Sequence, residues 1–356
     1  MKLYSLTKCT LLAVLAFLPG CTKDDSDENT PAISNKQVIQ SFCEHIAAKA
    51  YYDLANESGS LYNKVIAFNS NPTANLLEDC RNSWRSTRLV WEKTESFLFG
   101  PVATENIDPR IDTWPVNFND LEVVLANGIP FSESYIDGLD DALKGFHPIE
   151  YLLFGQSGTK SVNDFTLREH EYLAALALNL KSMTSQLASK WDSQVSSSFY
   201  YEFYNAGNGS SGYPELLSAY EEIINAMAGI CDEVANGKIN EPFTAQNPDL
   251  EESPFAKNSI ADFTNNIKGV QSVYTGNFGN DTYGVEDFVK QHNLALDNTI
   301  KTKINNAIAA LNNITVPFGE AITTQPVQVQ QSIDAINELK SVIETDLMQL
   351  VQQHIN

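Results

Sequence analysis

The chain has 356 residues, with 45 acidic against 23 basic side chains and a formal net charge of −22. So large an acidic excess argues against nucleic acid or an anionic membrane surface as a partner, because both would repel it. It favours cations in general, although diffuse surface charge does not make a metal site.

The first twenty residues do not belong to the fold. Lys2 and Lys8 form a short basic region ahead of "LLAVLAFLP" at 11–19. That apolar run is too short to span a bilayer and reads as the core of a signal peptide over residues 1–20. It ends in "FLPGC", which resembles a bacterial lipobox, with Cys21 as the lipidated first residue of the mature chain. Cleavage there removes two lysines and no acid, taking the net charge from −22 to −24. Residues 21–34, beginning "CTKDDSDENT", are polar and acidic and read as a flexible tether. Thr22 is not the Asp that retains many lipoproteins in the inner membrane. "KDD" resembles a surface-export signal of some Gram-negative lipoproteins. The expectation is an outer-membrane lipoprotein, facing the periplasm or the cell surface.

Beyond Cys21 the thiols are Cys43, Cys80 and Cys231, and three cannot all pair. If 36–67 and 73–99 are antiparallel helices turning near residue 70, Cys43 lies ~40 Å from the turn and Cys80 ~15 Å. The two would meet only if the first helix broke at Gly59. No CxxC or Cys/His zinc spacing is present, so neither a structural disulfide nor a cysteine metal site is expected.

Helical periodicity runs through almost every long segment, and no convincing alternation extends over six residues. Helices are expected over 36–67, 73–99, 164–191, 213–236, 255–275 and 285–314, with a last one carrying Ile333, Ile336, Leu339, Ile343, Leu347 and Leu350 on one stripe. "NSNPT" at 69–73, "GNGSSGYP" at 207–214 and "GNFGND" at 276–281 are the stops. Two stretches, 100–146 and 237–254, read as helix-poor, and connections this long are often functional. The roughly 335 residues after the leader suggest two domains, 35–207 and 208–356, divided near 207–213. The fold expected is all-α: two four-helix-bundle-like halves joined by long irregular connections. "FLFGP" at 97–101 and "VPFGE" at 316–320 hint at a duplication, hence at a pseudo-two-fold relation between the halves.

Three motifs carry chemistry. Trp84, Arg88, Trp91 and Glu95 fall at i, i+4, i+7 and i+11, on one face of the helix 73–99. Such a stripe is either half exposed, with the charges snorkelling outward, or a buried polar site in which the carboxylate needs Arg88 or a metal. "RIDTWP" at 110–115 places Arg110, Asp112 and Trp114 in the long connection, as a pocket wall or as a loop anchor. In "GFHPIEYLLFG" at 145–155, Pro148 fits the first helical position, which makes His147 the N-cap and Glu150 the N3 residue. Glu at N3 is explained by the helix end alone. Histidine is not a favoured N-cap, so His147 is the residue that structure does not require. A zinc protease of the HExxH kind needs two imidazoles from one helical turn, and no second histidine stands near His147. No GxSxG is present for a serine hydrolase.

"WRSTRLVWEKTESFLFGP", "RIDTWP" and "GFHPIEYLLFGQ", in that order, resemble the imelysin-like family, whose hallmark is GxHxxE. Gly145, His147 and Glu150 match it, and "ESPFAKNSIADFTNNIKGVQSVYTG" at 252–276 is similar to its second-half segment. The resemblance implies a two-bundle helical protein of the periplasm or cell surface, associated with iron uptake, with its site between the bundles. It implies His147, Glu150 and Glu95 as metal ligands, and Arg88, Asp112, Trp114, Ser253, Asn258 and Asp262 as further ligand-binding residues. In this chain Glu252 stands where many members have histidine, and Ala256, Lys257 and Ile260 replace polar residues. The ligand expected is iron or a small iron-bearing anionic species, with zinc as an alternative, passed on to a membrane transporter. The family's peptidase label implies the rival reading, a metallopeptidase using His147 and Glu150.

Overall fold

A computed structural model describes Met1 and residues 33–355. The expected signal peptide, the expected lipidation site at Cys21 and the expected tether up to residue 32 lie outside the described residues. Ser34 opens the first helix: its hydroxyl accepts the Gln37 N–H, and the Gln37 side chain accepts the Ser34 N–H in return, a capping box.

That helix, α1, runs from Asn35–Ser41 through a π-helical turn, Phe42–Ala47, into Ala48–Ser70. After the stop at Asn71, Thr73 caps α2 (Ala74–Thr94), which tightens into a 3₁₀ turn at Glu95–Phe97. The stretch 100–146, expected to be irregular, is broken into short helices: α3 (Pro101–Thr104), α4 (Ile107–Asp112), α5 (Phe118–Ala126) and α6 (Glu133–Asp137). Next come α7 (Phe146–Phe154) and α8 (Leu167–Lys190), the latter started by a Thr166/Glu169 capping box. A short α9 (Phe199–Tyr204) precedes the glycine-rich turn.

In the second half α10 begins at Leu216–Asp232, as the periodicity predicts, but does not stop at Gly237. A π-helical turn, Glu233–Ile239, carries it on into Asn240–Ala245. Helix α11 (Ser259–Thr275) starts later than expected, because 253–258 close as a turn in which the Asn258 N–H donates to the Ser253 carbonyl. The segment 285–314 is two helices, α12 (Val285–His292) and α13 (Leu294–Asn312). Asn293 ends the first, and its side chain caps the second by accepting the Leu296 N–H. Helices α14 (Phe318–Thr324) and α15 (Pro326–Val342, Ile343–Leu347, Met348–His354) complete the chain.

Residues 33–355 are all-α in the main, with a lone bridge between Asn277 and Asp281. In the first half α1 packs on α2 and α8, and α7 fills the place of a fourth long helix. In the second half α10, α11, α13 and α15 pack on one another. The halves meet chiefly where α2 crosses α11. Gly269 makes that crossing possible, because a β-carbon there would lie 2.3 Å from the Lys93 carbonyl oxygen. "FLFGP" and "VPFGE" take different local structures: Gly100 has φ +66 and precedes α3, whereas Gly319 sits inside α14. They lend no support to a duplication. Cys43, Cys80 and Cys231 are buried and free. No described helix is long and apolar enough to cross a membrane.

Candidate functional site

The inner stripe of α2 changes character along its length. Leu77, Cys80 and Trp84 pack as core, and one turn later Arg88 is fully buried. A guanidinium with no exposure must be paired on every side. Its Nε lies 2.6 Å from Glu92 Oε1 and 3.7 Å from Asp262 Oδ1, its Nη2 lies 2.8 Å from Glu252 Oε1, and its Nη1 contacts Asp112. The Phe146 ring covers it at 5.1 Å. The snorkelling reading of the Trp/Arg/Glu stripe is therefore overturned: the stripe faces inward.

Each carboxylate arrives from a different element. Asp112 ends α4, where Trp91 Nε1 donates to it at 2.6 Å. Asp262 lies in the first turn of α11, and Ser253 and Asn258 donate to it at 2.7 and 2.6 Å. Glu95 follows α2 and accepts from Asn266 at 2.6 Å and from Lys238 at 2.8 Å. Asn266 also donates to the Glu92 carboxylate at 2.7 Å and to the Glu92 carbonyl at 3.0 Å. These bonds need the close approach that Gly269 permits.

The GxHxxE segment departs from its expected geometry. The N-cap of α7 is Gly145, with φ +82 and ψ −154, so His147 is already the second helical residue and Glu150 lies beyond N3. The capping explanation of Glu150 fails. Its carboxylate instead accepts the Ala256 N–H at 2.7 Å and lies 3.4 Å from His147 Nδ1. His147 Nε2 faces Asp112 Oδ1 at 3.2 Å, and the Trp114 ring sits 5.1 Å from the imidazole. The bond from Trp114 to Pro115 is cis.

All nine expected site residues fall in one buried neighbourhood, but not as one ligand set. His147 and Glu150 pair with each other, Asp112 stands beside His147, and Glu95 sits with Lys238 and Asn266. The carboxylates whose oxygens converge within 4.8 Å are Glu92 with Glu95 and Asp112, and Glu92 with Glu252 and Asp262. Glu92, Asn266 and Lys238 were missed from sequence. Glu92 had a signal, standing at i+4 from Arg88, and Asn266 stands at i+4 from Asp262. Lys238 had none, because Gly237 reads as a stop.

Six carboxylates (Glu92, Glu95, Asp112, Glu150, Glu252 and Asp262) face three basic groups, Arg88, His147 and Lys238. The surplus shows in their protonation. Burial, opposed by Arg88 and reinforced by Glu95, holds Glu92 well above the usual carboxylate range. Burial and the neighbouring Glu92 do the same to Asp262. Burial pushes Glu95 up to about 8 against the pull of Lys238. For Asp112 burial is outweighed by Arg88 and His147, and it stays ionised far below its ordinary range. Burial works against a charge on His147, yet the Asp112 and Glu150 carboxylates beside its two ring nitrogens raise it to about 9. Several buried polar atoms have no hydrogen-bond partner in the protein: Glu92 Oε1, Glu252 Oε2, His147 Nε2, Asn266 Oδ1 and Trp114 Nε1. Glu92 Oε1 and His147 Nε2 have close charged neighbours, but not along a hydrogen-bond direction.

Unpaired oxygens and an imidazole nitrogen around surplus buried negative charge fit a hard cation. A cleft of about 400 Å³ leads to them, lined by Asp108, Trp114, Glu233, Lys238, Glu241 and Glu252 among others. Asp108 at its mouth is raised to about 7 by burial and by Asp112. A larger hollow of about 630 Å³, with Gln37, Glu44, His45 and Tyr204 in its wall, shares no residue with the cluster.

The imelysin family model (peptidase M75) matches residues 47–345. Iron-regulated protein A of Synechococcus elongatus is 33% identical over 248 residues, a match covering 69% of this chain and 66% of that relative, just under two thirds of its length. A crystal structure from Parabacteroides distasonis, of a protein given the provisional identity of an iron-regulated protein A precursor, superposes with a TM-score of 0.81 at 26% identity, covering 90% of this chain and 95% of that one. An imelysin-like protein from Psychrobacter arcticum shares the fold, with a TM-score of 0.74 at 13% identity over 90% of this chain and 97% of that one.

Proposed function

Because the chain belongs to the imelysin family, we propose that it binds iron as cargo in the buried carboxylate–imidazole cluster between its two halves, and serves iron uptake. The observation that carries this is the surplus of buried carboxylates with unpaired oxygens around one imidazole. A group of this kind stays protonated or takes a cation, and its donors are hard oxygens with a single borderline nitrogen. Glu92, shared by both carboxylate trios, and Glu95, Asp112, Glu252 and Asp262 offer oxygens, those that hold protons releasing them as the cation enters, and His147 likewise gives up a proton to offer Nε2. Arg88 keeps the carboxylates oriented. The same charge balance favours a cation over an anionic chelate. The name of the cyanobacterial relative, iron-regulated protein A, supports iron over zinc. The lipid anchor at Cys21, an outer-membrane location and transfer to a membrane transporter belong to the same proposal and rest on the sequence of residues 1–34.

Titration of metal-free protein with ferrous, ferric and zinc ions tests it. Saturable binding that His147→Ala weakens by about tenfold, with helicity unchanged, is the expected result. Absence of saturable binding to any of the three would sink the reading.

The family's peptidase designation keeps a second reading in view. Here Glu150 is held by the Ala256 N–H and by His147, and His147 is the single imidazole of the cluster. Peptide cleavage that is abolished by chelator and by Glu150→Gln would establish the enzyme instead.

A further inference from the structure

The geometry points to Lys238 as a tethered counter-ion that holds the carboxylate cluster in the ion-free protein and leaves when a metal cation binds. This rests on the cation-binding reading above and adds to it the means by which the site is kept closed and made selective for charge.

Lys238 Nζ lies 2.8 Å from Glu95 and 2.7 Å from Glu252, and 3.6 Å from Glu92. It therefore touches two members of each carboxylate trio: Glu92 and Glu95 of one, Glu92 and Glu252 of the other. While the ammonium stays there, an entering cation must compete with it for the oxygens of either trio. Like charges at that separation repel strongly in a buried setting.

Arg88 cannot play this part. It is fully buried and gripped by four carboxylates. Lys238 sits on the cleft wall with its side chain 11% exposed. It is carried by the π-helical turn of α10, next to Gly237, around which there is open space. Glu233 of the same turn is 3.9 Å from the ammonium and half exposed, and Glu241 lines the cleft beyond it. An outward swing of the flexible stem would move the charge from the cluster to these mouth carboxylates without stranding it.

Such an exchange selects by charge. A monovalent ion would replace one unit of positive charge with another and gain nothing. A divalent or trivalent ion brings more charge to the surplus carboxylates than the ammonium it displaces. Affinity is then a difference between two cations for one set of oxygens.

The test uses the full chain freed of metal by chelator, with ferrous ion under anaerobic conditions as the probe. Acetylation by an amine-reactive reagent, read peptide by peptide, reports on Lys238. Slow labelling without the ion, and labelling about fivefold faster with it, is the expected result, while the more exposed Lys301 labels equally in both. Lys238→Met should bind ferrous ion about tenfold more tightly than the parent chain. Equal labelling with and without bound ion overturns the exchange, as does Lys238→Met binding no more tightly than the parent. If Lys238→Met does not fold, the labelling of the parent chain decides alone. Absence of saturable binding to the parent overturns the cation site itself, and the exchange with it. Saturable binding with unchanged labelling overturns the exchange and leaves the site standing.

Discussion

Gly145 and Ile111 are pressed so closely together that a β-carbon on the glycine would lie 2.1 Å from the Ile111 carbonyl oxygen. Ile111 precedes Asp112, and Gly145 precedes the turn that carries His147, so this contact brings α4 and α7 together at the point where Asp112 meets the imidazole. Gly145 also has φ +82 and ψ −154, a region almost confined to glycine. Gly145→Ala should therefore cost roughly 1–3 kcal/mol from the backbone alone, before the clash is relieved. Urea denaturation measures the loss. Gly59→Ala, placed mid-helix where a β-carbon meets nothing, is the control and should leave stability equal or higher. Equal stability of the two variants would show that Gly145 does not set the motif's geometry.

The same contact explains what could and could not be read from sequence. The stripe Ile333, Ile336, Leu339, Ile343 faces the core as its spacing predicts, because a regular helix presents its period directly. The short helices of 100–146 were hidden, since Pro, Asn and Asp punctuate short helices and loops alike. His147 was recognised as a site residue but misplaced as an N-cap, because the positive φ of Gly145 depends on Ile111, more than thirty residues away. Glu92 was passed over beside the more conspicuous Glu95. Lys238 was invisible, because a π-helical turn carried a helix through a glycine that reads as its end. Residues recruited by tertiary contact leave no periodic trace.

Arg88 bears on stability more than on ligand choice. Removing one partner from a buried ion group strands the charges it balanced, at a cost of about 3–5 kcal/mol. Arg88→Met should lose stability on that scale in urea denaturation. Arg88→Lys should recover only part of it, because an ammonium is a point charge and cannot reach carboxylates from α2, α4, α11 and residue 252 together. A loss below about 1 kcal/mol in Arg88→Met would mean that the carboxylates neutralise one another by taking up protons.

Stability of the ion-free protein should fall as pH rises above neutrality. Glu95 is raised to about 8, so the folded state keeps a proton that the unfolded carboxyl gives up near its ordinary value. Its contribution is full at low pH and is lost as pH climbs through about 8. His147 is raised to about 9, and its contribution is full below its ordinary value of 6.5 and lost as pH climbs through about 9. Both act in one direction between pH 6.5 and about 8, and His147 alone carries the fall on to about 9. Asp112 is held well below its ordinary range, so its contribution stays constant across that window. Thermal denaturation of chelator-treated protein measures the fall, and His147→Gln should flatten its upper part. A melting temperature that rises over this range would contradict the assigned protonation.

Glu92→Gln separates folding from binding at one residue. Glu92 is fully buried, holds its proton well above the usual carboxylate range and accepts two hydrogen bonds from Asn266, one at its carboxylate and one at its carbonyl. A neutral amide matches the protonated acid in shape and charge, but its NH2 must oppose a donor, Arg88 Nε at one oxygen or Asn266 Nδ2 at the other, so the ion-free variant should lose about 1–2 kcal/mol. A cation, in contrast, needs the ionised form, and Glu92 is the one carboxylate common to both converging trios. Its replacement removes an oxygen donor and a negative charge from either arrangement. Ferrous ion should then bind about a hundredfold more weakly, roughly 2.7 kcal/mol, a larger effect than the loss urea denaturation reads in the ion-free protein. Calorimetric titration and denaturation on the same preparation measure both. Loss of stability with binding intact would make Glu92 a structural partner of Arg88 and move the cation to donors that exclude it.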